Sequence, residues 1–177
     1  LGKGWPKIFQ PDYTEVITQI AREKPDAIYT SLWGGDLVSF IDQAALYGIF
    51  KNTQLFAINL ADYTTMSAVK NLPEGLHSAT RYVAAWPNTE SNRNYDKSYT
   101  DLYGVHPTNW SWEASVGIDY LISAIKEIGG TDNKKIAENM KGKQKESFMG
   151  VGEGNTVRIR ENDQTIVDYS IGWGTTI

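Results

Sequence analysis

The sequence has no cysteine, no long hydrophobic run and no cluster of positive charge, and each absence excludes a class of protein. Without cysteine there are no disulfides, thiolate metal sites or cysteine nucleophiles. No apolar stretch approaches the ~20 residues that a membrane-spanning helix needs. Lysine and arginine are scattered over a chain of net charge -4, so we expect no nucleic acid among its partners.

Signatures of catalysis and of cofactor binding are also missing. The two histidines, His77 and His106, lie in different segments without a second ligand at metal-binding spacing. No stretch matches the G-x-S-x-G pattern of serine hydrolases. The glycine-rich segment 150–154 lacks the Lys-Ser/Thr that follows in a phosphate-binding loop. We therefore predict no catalytic residue, no metal and no cofactor, and a protein that is not an enzyme.

The first half of the chain alternates helical and strand patterns. Apolar residues at helical spacing predict helices over 13–24 and 36–48, and short runs of β-favouring residues predict strands over 27–30, 54–58 and 75–83. A short helix is predicted over 63–70, between the last two strands. Strands separated by helices imply parallel pairing through right-handed crossovers. The sequence therefore predicts a doubly wound parallel α/β sheet.

The second half follows a different pattern. Helices are predicted over 89–102, 111–128 and 132–140, and no strand separates them. Alternating β-favouring residues around a turn then predict a hairpin of 157–160 with 165–171. The helix 111–128 carries an apolar stripe with no evident partner layer, and the first six residues contain no initiator Met and no leader. We therefore expect the chain to be an incomplete part of a longer protein.

Several short motifs occur in a familiar order. The segments PDAIY at 25–29, LWGGD at 32–36, FIDQA at 40–44 and LPEGL at 72–76 resemble the second lobe of branched-chain amino acid binding proteins, which are type I periplasmic solute-binding proteins. A tyrosine-rich helix at 95–104 before a proline, MG at 149–150 and VRI at 157–159 continue the resemblance. It extends over nearly the whole chain.

This resemblance implies two α/β lobes that close around one small ligand, of which this chain would supply the carboxy-terminal half. Residues 1–86 would form second-lobe α/β units, 87–147 helices of an incomplete first lobe, and 148–177 a hairpin returning to the second lobe. The implied partners are a small-molecule ligand and the membrane permease of an ABC transporter. We also expect the chain to pair with a missing amino-terminal half or to self-associate. The implied location is periplasmic, or extracellular and membrane-tethered.

Candidate ligand-binding residues follow the predicted strands, because ligands of open α/β sheets bind beyond the carboxyl ends of the strands. The resemblance selects the same loops and places Trp33 where an aromatic residue lines the family's cleft. The alternative for Trp33 is core packing. The predicted ligand-binding residues are Trp33, Gly34, Asp36, Asn59, Leu60 and Arg81.

Asn59 falls where amino-acid binders of the family carry an acidic residue that receives the ligand's ammonium group. An amide carries no charge and therefore compensates an ammonium group poorly. The predicted ligand is accordingly an organic or aromatic acid, with an amino acid kept open because Asp36 or Asp62 could supply the negative charge. The more conservative interpretation of both aspartates is capping of a helix amino terminus.

The sequence leaves two alternatives to transport open. A sensory ligand-binding domain of the same fold would report closure to a kinase or regulator. A carbohydrate-processing enzyme would use tryptophan platforms for binding sugars. A fused transmembrane or catalytic segment in the full gene would favour the sensor, and turnover that is abolished by changing Asp36 or Asp62 to Asn would favour the enzyme.

Overall fold

Six α-helices and seven short strands form the described part of the chain. The structure is a computed structural model, and it describes residues 2–80, 82–85, 88–146, 156–161, 165–167 and 174–176. In chain order the elements are α1 (Thr14–Glu23), β1 (Ala27–Thr30), α2 (Gly34–Leu46), a 3-10 turn (Ile49–Lys51), β2 (Gln54–Ala57), α3 (Tyr63–Met66), β3 (Leu76–Ser78), α4 (Glu90–Tyr103), α5 (Asn109–Ile128), α6 (Asn133–Met140), β4 (Gln144–Glu146), β5 (Thr156–Ile159), β6 (Thr165–Val167) and β7 (Gly174–Thr175).

The chain divides into two compact units. Unit 1 comprises Leu1–Arg81 with Ile171–Ile177, and unit 2 comprises Tyr82–Ser170. The hairpin β5–β6 lies with the helices α4 to α6 in unit 2. The assignment of 148–177 to a hairpin that returns to the second lobe stays a prediction. Of the described strands that follow α6, β7 alone joins the sheet of unit 1.

The sheet of unit 1 has the strand order β1-β2-β3-β7. The first three strands are parallel, with Ala27 opposite Gln54 and Leu55 opposite Leu76, and β7 pairs antiparallel with β3. This confirms the predicted parallel layer with helical crossovers. β1 has its predicted bounds and β2 ends one residue early, whereas β3 covers only three of the nine residues predicted for it.

The core of unit 1 lies between the sheet and the helices α1 and α2. Tyr13, Ile17, Leu37 and Ile41 have no exposed surface, and Leu55 of β2 is equally buried. Tyr13 and Phe40 make an edge-to-face aromatic contact with ring centroids 5.9 Å apart. Burial of these apolar residues supplies most of the driving force for folding the unit. The amphipathic patterns that predicted the two helices are the patterns that form this core.

Thr176 makes hydrogen bonds to the start of β3 and to the loop before it. Its hydroxyl donates to the carbonyl of Pro73 at 2.7 Å and accepts from the Leu76 amide at 2.9 Å. Its backbone amide also donates to the Leu76 carbonyl, at 3.0 Å. The carboxyl-terminal residues are therefore a structural part of unit 1.

The helices of unit 2 begin with regular side-chain caps. Thr89 accepts a hydrogen bond from the Asn92 amide, Thr108 accepts from the Ser111 amide, and Asp132 accepts from two amides of α6. Gly104 and Gly129 end α4 and α5 with φ of 72° and 66°, values that favour glycine. The predicted helix positions in this unit are confirmed within two residues.

The core of unit 2 forms where α5 packs on the three-stranded antiparallel sheet β4-β5-β6. Trp112, Val116 and Tyr120 of α5 are buried with Val157 and Ile159 of β5. The hairpin was predicted and is confirmed by the pairing of β5 with β6. The polar strand β4 was not predicted.

A second side of α5 stays exposed. Ile118, Leu121 and Ile122 expose 54%, 37% and 45% of their surface respectively. These residues belong to the apolar stripe that the sequence predicted to lack a partner layer.

Candidate functional site

Two loops follow the carboxyl ends of the parallel strands β1 and β2. After β1, the hydroxyl of Thr30 accepts a hydrogen bond from the Leu32 amide at 3.1 Å, which turns the backbone toward the start of α2. After β2, the Leu60 amide donates to the Ala57 carbonyl at 3.2 Å and closes a turn around Asn59. Both loops lie where ligands bind in open α/β sheets.

The side chain of Asn59 joins these two loops. Its amide nitrogen donates to the carbonyl of Leu32 at 3.2 Å and, at 3.5 Å, to the carbonyl of Ser31. Two carbonyl acceptors fix the orientation of the amide, since only its NH₂ group can donate to them. The Asn59 amide therefore has a structural role, and its Oδ1 remains an uncharged acceptor at the loop surface.

Ser78 at the end of β3 makes hydrogen bonds to the backbone on both sides of the loop after β2. Its hydroxyl donates to the Ala57 carbonyl at 2.6 Å and accepts from the Ala61 amide at 2.8 Å. The residue is buried, with 6% of its surface exposed. The ends of β1 and β3 and the loop after β2 thus contribute the side chains that hold these loops in place.

The amino terminus of α2 opens at the same edge. Trp33 occupies the N-cap position and makes no capping hydrogen bond with its side chain. Gly34 and Gly35 follow, and nothing lies within 4 Å of the Cβ position of either. The first amides of a helix have no partner within the helix and carry a partial positive charge, which attracts anions such as carboxylates. The indole of Trp33 is 58% exposed beside them and could cover a flat apolar ligand body.

The two nearby aspartates make contacts within the chain. The Asp36 carboxylate accepts from the Phe9 amide at 3.1 Å and lies near Tyr13. Burial, with the Asp36 carboxylate as a second cause, raises the pKa of the Tyr13 hydroxyl to about 12. Asp62 is 8% exposed at the N-cap position of α3 and accepts from the Thr64 hydroxyl at 3.2 Å. The first turn of α2 and the start of α3 therefore hold these carboxylates in local roles.

Comparison with known proteins identifies the family. The family model described as periplasmic binding protein matches residues 2–172. The chain belongs to the periplasmic binding protein family. Members of this family bind solutes, are typically periplasmic and are not enzymes, which agrees with the prediction at that level. No curated protein matches the chain significantly.

Solved structures show the same fold as this periplasmic binding protein. An amino acid ABC transporter substrate-binding protein from Pseudomonas fluorescens Pf-5 is 20% identical, with a TM-score of 0.77 over 95% of this chain and 44% of that chain. A solute-binding protein of an ABC transporter from R. palustris in complex with benzoate is 18% identical, with a TM-score of 0.77 over 96% of this chain and 46% of that chain. A leucine-binding protein from Thermotoga maritima is 22% identical, with a TM-score of 0.76 over 95% of this chain and 46% of that chain.

These likenesses confirm the type I periplasmic binding protein fold. The chain spans less than half the length of each of the three proteins. None of the helices within the described residues is long and apolar enough to cross a membrane.

The structure places the predicted ligand-binding residues in different surroundings. Trp33, Gly34 and Asn59 lie together, because Asn59 binds the backbone immediately before Trp33. Leu60 is 1% exposed and its side chain packs in the core of unit 1, so only its backbone is near the loop surface. Asp36 lies in the first turn of α2, with its carboxylate bonded to Phe9. Arg81 lies outside the described residues.

Ser78 and Thr30 were not predicted from the sequence as part of the site. Both are hydroxyl residues at the last position of a strand, where a side chain can bond the adjoining loop. A hydroxyl residue at the end of a predicted strand was therefore the sequence feature that could have indicated both residues. The loop partners of Ser78 lie 17 and 21 residues away along the chain and could not be predicted from local pattern.

Proposed function

We propose that this chain is part of the solute-binding component of an ABC transporter and that its ligand is a small organic acid with an aromatic body. The ligand carboxylate would lie at the amino terminus of α2, and its ring would lie against the indole of Trp33. Oδ1 of Asn59 would accept a hydrogen bond from a hydroxyl of the ligand. The closed, liganded protein would then dock on the membrane permease.

The observation that carries this proposal is the charge pattern around Asn59. An α-amino acid needs an anionic partner for its ammonium group, and an amide does not provide one. The nearby carboxylates, Asp36 and Asp62, already accept hydrogen bonds from Phe9 and Thr64. The exposed amides at the start of α2, by contrast, suit a carboxylate.

A structural neighbour supports the same ligand class. The R. palustris protein of the same fold was solved in complex with benzoate. Other neighbours are named as amino acid and leucine binders, so fold alone does not select between the two ligand classes. The difference must come from the residues at the site, and Asn59 stands where the family resemblance implies an acidic residue in amino acid binders.

The test is calorimetric titration of the protein expressed from its complete reading frame, with benzoate, 4-hydroxybenzoate and leucine. We expect the two benzoates to bind and leucine to bind at least tenfold more weakly. Asn59→Asp should weaken benzoate binding at least tenfold, because it places a negative charge near the ligand carboxylate. Asn52→Asp makes the same chemical change in an exposed turn and should leave binding unchanged. Tighter binding of leucine than of either benzoate would refute the proposal.

A further inference from the structure

Five aromatic rings form a continuous series through unit 2. Three of them are tyrosines of α4 at four-residue spacing, which places them on one side of the helix. The fourth comes from the segment before α4 and the fifth from α5. In order from the core outward, the rings belong to Trp112, Tyr82, Tyr95, Tyr99 and Tyr103, and the series is called the aromatic path below.

Successive rings of the aromatic path lie at the distances of paired aromatic side chains. Trp112 stacks on Tyr82 with an interplanar angle of 8° and ring centroids 6.1 Å apart. The centroids of Tyr82 and Tyr95, and those of Tyr95 and Tyr99, are also 6.1 Å apart. The last step, from Tyr99 to Tyr103, is 4.6 Å. Because electron transfer between aromatic rings slows steeply with distance, a series of short steps between neighbouring rings is a fast route out of the core.

The two ends of the aromatic path differ in their access to water. Trp112 and Tyr82 expose 4% and 6% of their surface, whereas Tyr103 is 61% exposed. One-electron oxidation makes a phenol strongly acidic, so a tyrosine retains the oxidation where its hydroxyl proton can leave. Tyr103 can release that proton to water. The tryptophan radical oxidises tyrosine at neutral pH, and transfer from Trp112 toward Tyr103 is therefore favourable.

The buried hydroxyls of the aromatic path are bonded to weak bases. The Tyr82 hydroxyl donates to Oδ1 of Asn92 at 3.1 Å, and the Tyr95 hydroxyl lies 3.2 Å from Oγ of Ser115. Amide and alcohol oxygens accept hydrogen bonds but do not take up a proton at neutral pH. Burial raises the pKa of both phenols, which holds their protons in place. The oxidation is therefore most stable at the exposed end of the path.

We propose that the aromatic path carries one-electron oxidation of the unit 2 core to Tyr103, which makes Tyr103 a site of oxidative modification and spares Trp112. A one-electron oxidising radical takes an electron from a ring of the path and is itself reduced. An electron from Tyr103 fills the vacancy, and the hydroxyl proton of Tyr103 passes to water. Two such phenoxyl radicals, on separate copies, then form one carbon–carbon bond, and the two displaced ring hydrogens return to the phenol oxygens.

Site-resolved oxidation tests the aromatic path in the protein expressed from its complete reading frame. Photogenerated tris(bipyridyl)ruthenium(III) supplies the one-electron oxidant, a nitroso spin trap captures tyrosyl radicals, and peptide mass spectrometry locates the adducts. Tyr47 is 54% exposed and lies in unit 1, outside the path, so it reports direct oxidation from solvent. We expect at least fivefold more adduct at Tyr103 than at Tyr47. Equal yields at the two tyrosines would contradict the proposal.

Substitutions that keep the ring distinguish transfer along the path from simple exposure. Tyr99→Phe retains the ring and removes the hydroxyl, and phenylalanine is far harder to oxidise than tyrosine. It should lower the Tyr103 adduct at least threefold and raise the yield of oxidised Trp112. Tyr95→Phe interrupts the path one step earlier and should act in the same way, whereas Tyr47→Phe should change neither yield. An unchanged Tyr103 adduct in both path variants would show that Tyr103 is oxidised directly and would overturn the proposal.

Discussion

The side-chain nitrogen of Asn59 lies 3.2 Å from the carbonyl oxygen of Leu32, so one amide connects the loop after β2 with the loop after β1. Asn59→Ala removes this connection and leaves two carbonyls without their donor. We expect the free energy of unfolding to fall by about 1 kcal/mol. Asn52→Ala, in an exposed turn, is the control and should have little effect. Urea unfolding followed by circular dichroism measures both, and equal effects would contradict a structural role for Asn59.

The start of α2 offers a direct test of backbone conformation. Gly34 has φ of 53°, whereas Gly35 does not have a positive φ, and nothing lies within 4 Å of the Cβ position of either residue. Gly34→Ala should therefore destabilise unit 1 by about 1 kcal/mol through left-handed strain alone. Gly35→Ala should be neutral or stabilise by up to about 1 kcal/mol. Thermal unfolding of the two variants compares them, and the same sign for both would show that φ is not the cause.

Ser78 is expected to be the most sensitive polar residue at the site. Ser78→Ala leaves the part-buried Ala61 amide without its acceptor and the Ala57 carbonyl without a buried donor, which costs about 1–3 kcal/mol. Ser67 also donates to a backbone carbonyl, at 3.3 Å, but is exposed, so Ser67→Ala should cost less than about 0.5 kcal/mol. Denaturant unfolding gives both values. A loss at Ser78 no larger than that at Ser67 would argue against its supporting role.

Tyr13 should make the stability of unit 1 depend on pH in alkaline solution. Burial raises the pKa of its hydroxyl from 10.0 to about 12, so the unfolded chain releases this proton at a lower pH than the folded chain. Between those values the unfolded chain binds fewer protons, and the free energy of unfolding falls as pH rises. Tyr13→Phe should reduce that fall between pH 10 and 12 and leave the pH dependence below pH 9 unchanged. Identical alkaline slopes in the variant and the parent chain would contradict this assignment.

The local sequence pattern was sufficient to predict most helices and strands. It was insufficient where contacts between distant segments determine whether an element forms or where it begins. β1 and the hairpin β5–β6 were predicted from runs of β-favouring residues beside turns. α5 was predicted from apolar residues at helical spacing and from the glycines that end it. β4, with the sequence Gln-Lys-Glu, has no apolar alternation and forms because β5 lies beside it. α2 was predicted to begin at Asp36 because two glycines usually break structure, whereas Gly34 begins the helix.

The sequence led to the loops of the candidate site but not to the contacts within them. The rule that ligands bind beyond the carboxyl ends of strands led to the loops of Trp33 and Asn59. It could not show that Leu60 turns inward, since the direction of a loop side chain depends on the packing of the whole unit. The contact between Asn59 and Leu32 spans 27 residues, and nothing in either segment alone predicts it.

The bond between Leu76 and Thr176 joins residues 100 positions apart, which has a consequence for the order of folding. During synthesis unit 2 must be translated before β7 exists, so the sheet of unit 1 acquires β7 only after the whole of unit 2 has been made. Pairing over such a sequence separation is also intrinsically slow. Removal of β7 and Thr176 would therefore damage a sheet whose other three strands are translated long before them.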